Sequence, residues 1–406
     1  MRLPVIGNIS TKDGATNKNA RLTNMLAEQK KSGTTLATVR PGLSAYATVA
    51  GNGNGLVCFN GSLVSVFGAN IGVPGGDVFE YTSNTYAFSD AVLNGKKFGS
   101  NYVLVPEESA IYTTSDFSSY VDHDGGYEVW PSGVAVSETL AIVPYGRADD
   151  ETYWVKVFDT SLTDTDYQTA YQVMGPTYGN GYFASTGGGK FCRSSNGQTW
   201  TQGDSLPAGL VSSKFIAFND SKFCFFYTKS DGYLYCTTST DGLTYSGTSF
   251  VLDTAIYGAS SIVSAGEWLI IVGNNTVARS DDNGQTWDLS SSFPYDFAPR
   301  ASINLAEGSG IAYNSTTKQI MAVGSSTYYG DPHTLMLSTD NGETWVSDTG
   351  TNICYAGVVN TASGFACFKC GSEPAGSRAQ VLTDVGFGIT NIAAIEDSPL
   401  DFALIP

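Results

Sequence analysis

The sequence predicts an all-β chain folded as a β-propeller of about seven blades, six to eight fitting the spacing, with an extended arm ahead of it. Three observations carry that expectation. Ser280-Asp281-Asp282-Asn283-Gly284-Gln285-Thr286-Trp287 and Ser338-Thr339-Asp340-Asn341-Gly342-Glu343-Thr344-Trp345 share the pattern S-x-D-x-G-x-T-W. Degenerate copies recur at the length of one four-stranded blade, about 40–50 residues. The chain of 406 residues also holds 46 Gly, 23 Tyr and 21 Phe and lacks long amphipathic helical runs, a composition of strands and turns.

The arm, 1–45, comes first, and Leu22, Met25 and Leu26 share a face there at helical spacing, which predicts a helix near Ala20 to Lys31. The propeller is expected over 46–395, with its first strand text at Tyr46-Ala47-Thr48-Val49 and between Leu56 and Phe67. Residues 396–406 are read as a tail or closing strand.

Within the propeller the two full motifs fold themselves by local chemistry. Ser and Asp at the start of a tight loop can bond the loop's own N–H groups, and Gly two residues after the Asp supplies a positive φ. Thr and Trp lead into the returning strand, where the indole can bury its apolar face. Ser280, Asp282, Gly284, Thr286, Trp287 and Ser338, Asp340, Gly342, Thr344, Trp345 are therefore structural candidates, and the pattern itself implies no chemistry. It resembles the Asp-box hairpin of sialidase-like propellers.

Fainter copies share its frame. Arg193 to Trp200 keeps Gly-x-Thr-Trp but places Ser195 in the Asp position, Thr238 to Tyr245 ends in Tyr, and Thr113 to Tyr120 is an echo. The closing aromatics fall at 120, 200, 245, 287 and 345, and the interval of 80 between the first two is two blades. The missing hairpin is expected near Trp154 to Phe158 and Ser161 to Thr163, and strand text continues at Gln380 to Thr383.

Charge divides the chain. Its net charge is −17, yet residues 1–45 carry seven Lys or Arg against Asp13 and Glu28, leaving the remainder at −22. An acidic body argues against wrapping nucleic acid, because phosphate binding needs a basic face. No apolar run approaches the roughly 18–20 residues of a membrane span, so no membrane insertion is expected. Met1 to Asn8 is too short and broken for a signal peptide. The seven cysteines, Cys58, Cys192, Cys224, Cys236, Cys354, Cys367 and Cys370, are then expected as free, mostly buried thiols of a reducing cytoplasm. Cys367 and Cys370 have C-x-x-C spacing, but in a strand their sulfurs would point to opposite faces.

No catalytic constellation emerges, and the chain is read as a non-enzyme without cofactor or metal. His123 and His333 lie in no metal frame, and neither a nucleophile elbow nor a P-loop is present. Sialidases, as a family, hold a substrate carboxylate with three arginines. Met1-Arg2-Leu3-Pro4 is similar to their F-R-I-P motif, but it opens the chain far from any blade strand, and only Arg147, Arg193, Arg279, Arg300 and Arg378 remain in the body.

The order of the first seventy residues carries a second resemblance. Arg21-Leu22-Thr23-Asn24-Met25-Leu26-Ala27-Glu28 is followed by Pro41-Gly42-Leu43, and then by the Gly-rich stretch from Gly51 to Gly68. This order resembles the tail nozzle, or packaged-DNA stabilisation, family of short-tailed phages. The resemblance implies a structural virion protein, assembled in the host cytoplasm into the virion tail as a hexameric ring. It would close and extend the DNA exit channel below the portal and adaptor, and meet the adaptor and the tail needle, fibre or spike proteins. DNA would pass through the lumen without sequence-specific binding, and an acidic lumen would let it slide. The alternative function is a propeller that binds or cleaves glycans.

Overall fold

A computed structural model describes residues 81–383 apart from 89, 107–109, 124–128, 148–151, 247–249, 253–260, 274–275, 292–297, 300–306, 326–334, 349–352 and 371–377; elsewhere it describes 25–29, 35–39, 53–59, 62–67, 70–80 and 384–392. The chain forms two compact units, Met1–Glu80 with Asp384–Pro406, and Tyr81–Thr383.

The second unit is a seven-bladed β-propeller. Blade 1 is built from Val92–Phe98, Asn101–Pro106, Tyr112–Thr114 and Val121–Asp122. Blade 2 uses Val129–Pro131 and Ala135–Val136 on its inner side, then Ala141–Arg147, Tyr153–Phe158 and Asp164–Thr169. Blade 3 comprises Met174–Gly179, Tyr182–Gly187, Lys190–Ser194 and Thr201–Ser205. Blade 4 comprises Leu210–Asn219, Lys222–Lys229, Leu234–Ser239 and Phe250–Leu252. In blade 5 the strands are Ser261–Ala265, Trp268–Gly273, Thr276–Ser280 and Asp288–Ser291. Blade 6 holds Ala298–Pro299, Ile311–Asn314, Gln319–Ser325, Leu335–Ser338 and Val346–Ser347.

Blade 7 starts with Tyr355–Asn360 and Phe365–Lys369 and continues into Ala379–Ile392, beside which runs Asn70–Tyr86. The last blade is thus completed by a strand from the other end of the chain. The compact unit that holds the blades spans Tyr81–Thr383. Every described pairing within a blade is antiparallel, as in Ser261↔Val272 and Leu269↔Ser280.

Blades stack face to face, so their middle strands are covered on both sides. Leu269, Ile270, Ile271 and Val272 are all buried, as are Phe223 to Tyr227, which explains continuous apolar runs where a half-exposed strand would alternate. Each apolar layer joins two neighbours. Phe226 and Cys236 of blade 4 meet Ile271 and Ala278 of blade 5, and Ile270 and Val272 of blade 5 meet Ile320 and Met336 of blade 6. The closing aromatics Trp200, Tyr245, Trp287 and Trp345 each lie in the layer between their own blade and the preceding one. Tyr120 does the same for blade 1 against blade 7.

The expected helix at Ala20 to Lys31 is corrected in its described part. Met25–Gln29 is a strand paired antiparallel with Thr35–Val39, Met25 facing Val39 and Gln29 facing Thr35. Its partner is rich in Thr and Val, a β-favouring composition, and pairing overrides the helical spacing of three apolar residues. In the same unit the Gly-rich stretch forms a hairpin of Gly53–Phe59 with Ser62–Phe67. Ser62–Phe67 pairs onward with Asn70–Tyr86, Phe67 facing Asn70, and Tyr46 to Val49 lie outside the described residues. No helix occurs among the described residues, and hence none long and apolar enough to cross a membrane. The arm motifs at Met1 to Pro4, Arg21 to Asn24 and Pro41 to Leu43, with Arg300, His333 and the 396–406 tail, lie outside the described residues.

The free-thiol expectation also needs one correction. Cys192, Cys224, Cys236 and Cys367 are free and buried, whereas Cys354 and Cys370 form a disulfide with Cα atoms 5.4 Å apart. They flank two paired strands, with Tyr355 opposite Lys369 and Cys370 N donating to Cys354 O at 2.8 Å. Register, which spacing along the chain does not reveal, brings them together. Burial pushes the Cys192 thiol up to about 12 and raises Cys367 further.

Candidate functional site

The motif hairpins close upon themselves. In blade 5, Ser280 Oγ donates to Asp282 Oδ1 at 2.8 Å and accepts from Gly284 N at 2.8 Å. Asp282 Oδ1 accepts from the N–H groups of Gln285 and Thr286, both at 2.9 Å, and Oδ2 accepts from Thr286 Oγ1 at 2.6 Å. Trp287 Nε1 then donates to Gly284 O at 3.2 Å. Blade 6 repeats this set: Ser338 to Asp340 at 2.8 Å, Gly342 N to Ser338 at 2.9 Å, Thr344 Oγ1 to Asp340 at 2.6 Å and Trp345 Nε1 to Gly342 O at 3.1 Å. Burial opposes ionisation of Asp282, but hydrogen bonds from Thr286, Ser280 and Gln285 outweigh it and hold the carboxyl below its usual range. All ten candidate residues therefore act within two loops, their carboxylates consumed by loop donors.

The degenerate copies use a loop one residue tighter, which a fixed alignment on the aromatic misplaces. In blade 3 the acceptor is Asn196 rather than Ser195, its Oδ1 taking the N–H groups of Gln198 at 2.9 Å and Thr199 at 3.0 Å. In blade 4, Asp241 Oδ1 takes those of Leu243 at 2.9 Å and Thr244 at 2.8 Å. In blade 1, Thr114 and Asp116 start the loop and Phe117 occupies the left-handed position at φ 67°. Blade 2 turns on Asp159, which accepts from Ser161 N at 2.8 Å and Thr163 N at 3.0 Å.

The glycines do more than turn the chain. Gly284 has φ 79°, and a Cβ there would lie 3.0 Å from Cys236 Sγ of blade 4. At Gly197 it would lie 2.7 Å from Ile142 of blade 2. The residue type thus serves both a left-handed backbone and close approach to the preceding blade.

Two of the arginines weighed as carboxylate ligands tie neighbouring blades on this same face. Arg193 Nη1 donates to Asp241 O at 2.6 Å and its guanidinium lies 4.1 Å from the Tyr182 ring. Arg279 sits 3.6 Å from Glu343 and 4.8 Å from the Trp268 ring. Of the others, Arg147 stacks on Trp154 at 4.4 Å, and Arg378 faces Asp90 at 3.8 Å. The four belong to separate surroundings and form no shared clamp.

Across the propeller axis a carboxylate joins distant blades. Glu307, in the connection entering blade 6, is 9 % exposed. Its Oε2 accepts from Thr177 Oγ1 of blade 3 at 2.8 Å, and its Oε1 from Ser264 N of blade 5 at 3.2 Å. Its backbone oxygen accepts from Asn94 Nδ2 of blade 1 at 3.1 Å, while Asn94 Oδ1 takes Val134 N of blade 2 at 3.0 Å. Asn94 also donates to Ser309 Oγ at 3.2 Å. One short segment therefore bonds to inner positions of three other blades, and Asn94 carries the link on to a fourth.

A second polar cluster lies between blades 1 and 2. Thr113 Oγ1 is 2.8 Å from His123 Nε2, and His123 Nδ1 is 3.0 Å from Asp164 Oδ1. Lys156 Nζ sits 2.8 Å from Asp164 and 2.9 Å from Asp166. The order hydroxyl, imidazole, carboxylate is that of a nucleophile with its base and orienter. Thr113 is only 2 % exposed, so this hydroxyl meets no substrate and the relay fastens two blades. Burial opposes the charge on Asp164, yet Lys156 and His123 hold its carboxyl below the usual range. The sequence places His123 in a turn; Thr113 and Asp164 carry no signal there, because pairing within blade 1 and the packing of blade 2 against it bring the three groups together. Among the described residues no group of three His, Cys, Asp or Glu could hold a metal ion.

No model of a known protein family matches the chain, and no curated protein sequence matches it. Among solved structures, puromycin hydrolase is similar with a TM-score of 0.50 at 9% identity, over 69% of this chain and 50% of that one. A chain in the mitotic checkpoint complex gives 0.48 at 10% identity, over 76% of this chain and 91% of that one. Such identities extend to architecture alone, and the blade geometry establishes a seven-bladed β-propeller in the unit Tyr81–Thr383.

Proposed function

We propose that the chain is a structural virion protein, a tail nozzle of a short-tailed phage that works as a homo-hexameric ring and not as an enzyme. The reading rests first on the order of sequence motifs in the N-terminal segment, whose Gly-rich stretch forms a hairpin of Gly53–Phe59 with Ser62–Phe67. The propeller supports it by how its polar groups are spent. Motif carboxylates, two arginines, Glu307 and the His123 relay all bind the chain to itself. The net charge of −17 per copy suits a ring whose lumen passes DNA without holding it. Portal-adaptor rings above and needle, fibre or spike proteins below are the partners on this reading. Mass photometry of the purified chain tests it: a six-copy species, free or formed on adaptor rings, is the expected result, and a monomer that ignores the adaptor overturns it.

A second reading, glycan binding, is favoured by one rim opposite the motif hairpins. Tyr227 and Tyr235 stack at 5.6 Å, Lys229 lies 4.3 Å from the Tyr235 ring, Asp231 accepts from Tyr235 Oη at 2.5 Å, and Tyr233 is 37 % exposed. The exposed Tyr233 and the part-exposed Tyr235, backed by the buried Tyr227, lie beside the Asp231 carboxylate in a way that suits a sugar. A glycan array on which Tyr233→Ala loses a signal seen for the parent chain would establish this reading.

A further inference from the structure

Among the described residues Lys96 is a charge near the propeller axis with no ion-pair partner. It lies on the inner strand of blade 1, Val92–Phe98, paired with Val103 and only part-exposed. Its ammonium rests against Gly308, where a Cβ would be 3.1 Å from Nζ and 3.5 Å from Cε. Gly308, at φ +84°, leaves room for the ammonium, and its own N–H is already given to Ile262 O at 2.8 Å. Among the described residues Lys96 makes no hydrogen bond, ion pair or ring contact, in contrast to Lys156, which has two carboxylates, and Lys229, which has a ring.

Space adjoins that ammonium on two sides. One cavity of about 100 Å³ is lined by Lys96 and Glu307 with Ser264, Tyr313 and Asn360. A second, also about 100 Å³, is lined by Lys96 and Glu307 with Pro176, Thr177 and Tyr178. Each has room for about three water molecules, and so for an ion of a few heavy atoms but not for a nucleotide. Glu307 lines the same two cavities but forms no ion pair with Lys96. It lies beyond ion-pair distance, and its two oxygens already accept from Thr177 and Ser264. The hydrogen-bonding capacity left unused there is thus that of the Lys96 ammonium, three N–H donors on a point charge, which suits a compact oxyanion lying on the side of the ammonium away from Glu307.

We propose that this axial recess binds a small oxyanion, inorganic phosphate or a short carboxylate, through Lys96. The site owes nothing to ring formation, so it stands or falls apart from the nozzle reading. The test is a titration of the full chain with inorganic phosphate followed by ³¹P linewidth, and in parallel with ¹³C-acetate, at ionic strength held constant with sodium chloride. The expected result is saturable broadening of at least one ion, with Lys96 ¹³Cε shifting at the same midpoint in the wild-type chain. Lys96→Met should weaken binding about tenfold or more, as loss of a charge-assisted hydrogen bond requires, and Lys96→Arg should restore most of it. Broadening by phosphate alone or acetate alone names the ion. No saturable effect of either ion, an unmoved Lys96 resonance, or equal binding by a folded Lys96→Met chain overturns the proposal.

Discussion

Thr177 donates its hydroxyl to Glu307 Oε2 at 2.8 Å across 130 residues of sequence. The bond links blade 3 to the segment entering blade 6 over the propeller axis, and the same carboxylate takes Ser264 N of blade 5. The apolar layers join neighbours in the ring, so this bond, with those from Asn94 to Glu307 and Ser309, is a spoke where the layers form a rim.

Removing the spoke should cost more than its surface area suggests. Glu307→Ala leaves the buried Thr177 hydroxyl and the Ser264 N–H without their acceptor, and is expected to destabilise the unit by about 2–4 kcal/mol. Urea unfolding followed by tryptophan fluorescence measures it. A loss below about 0.5 kcal/mol, the level of an indifferent surface change, would show that water replaces the carboxylate freely.

The closing aromatics make opposite predictions in two blades. Trp345 is 5 % exposed and its indole N–H reaches Gly342 O at 3.1 Å. Trp345→Ala should cost about 3–5 kcal/mol. Tyr245 fills the same layer position, stacked on Phe191 at 3.7 Å, but its buried hydroxyl finds no hydrogen-bond partner among the described residues. Tyr245→Phe should therefore be neutral or stabilising by up to about 1 kcal/mol. A Tm that falls in Tyr245→Phe would reveal a partner for that hydroxyl.

Glycine substitutions separate backbone strain from crowding. Gly284→Ala meets both a positive φ of 79° and Cys236 Sγ at 3.0 Å, whereas Gly99, at φ 61°, has nothing within 4 Å of a Cβ. Gly99→Ala should show only the left-handed cost of roughly 1–2 kcal/mol, and Gly284→Ala should exceed it. Equal losses would mean that the preceding blade yields to the methyl group.

Acid should loosen the hairpins. The carboxyls of Asp282, Asp241 and Asp164 are held below their usual range in the fold. A depressed carboxyl stabilises the folded state at pH above its unfolded value, about 3.9. That contribution is lost as pH falls through the folded value. The urea midpoint should hold as pH drops from neutral to about 5, then decline below about 4. Asp282→Asn should flatten part of the decline, and an unchanged slope would show that its loop bonds do not depend on charge.

Much of the fold was legible because the hairpin motif is local. Ser280 to Trp287 and Ser338 to Trp345 specify their own loops, and the blade length between the aromatics did the rest. Asn196 was hidden by a one-residue change of loop length, and Met25–Gln29 by a helical spacing that strand pairing overrode. The axial site was illegible for a different reason. Lys96, Thr177, Ser264 and Glu307 carry no motif and meet only when blades 1, 3, 5 and 6 close into a ring. The Cys354–Cys370 disulfide likewise depends on a register that no spacing announces.

The central claim, that this propeller serves as a ring-forming structural part, is tested most directly by negative-stain imaging of the purified chain alone and mixed with portal-adaptor rings. The account predicts six-fold class averages, free or seated on the adaptor. Single propellers in both samples, with no density added to the adaptor, would contradict it.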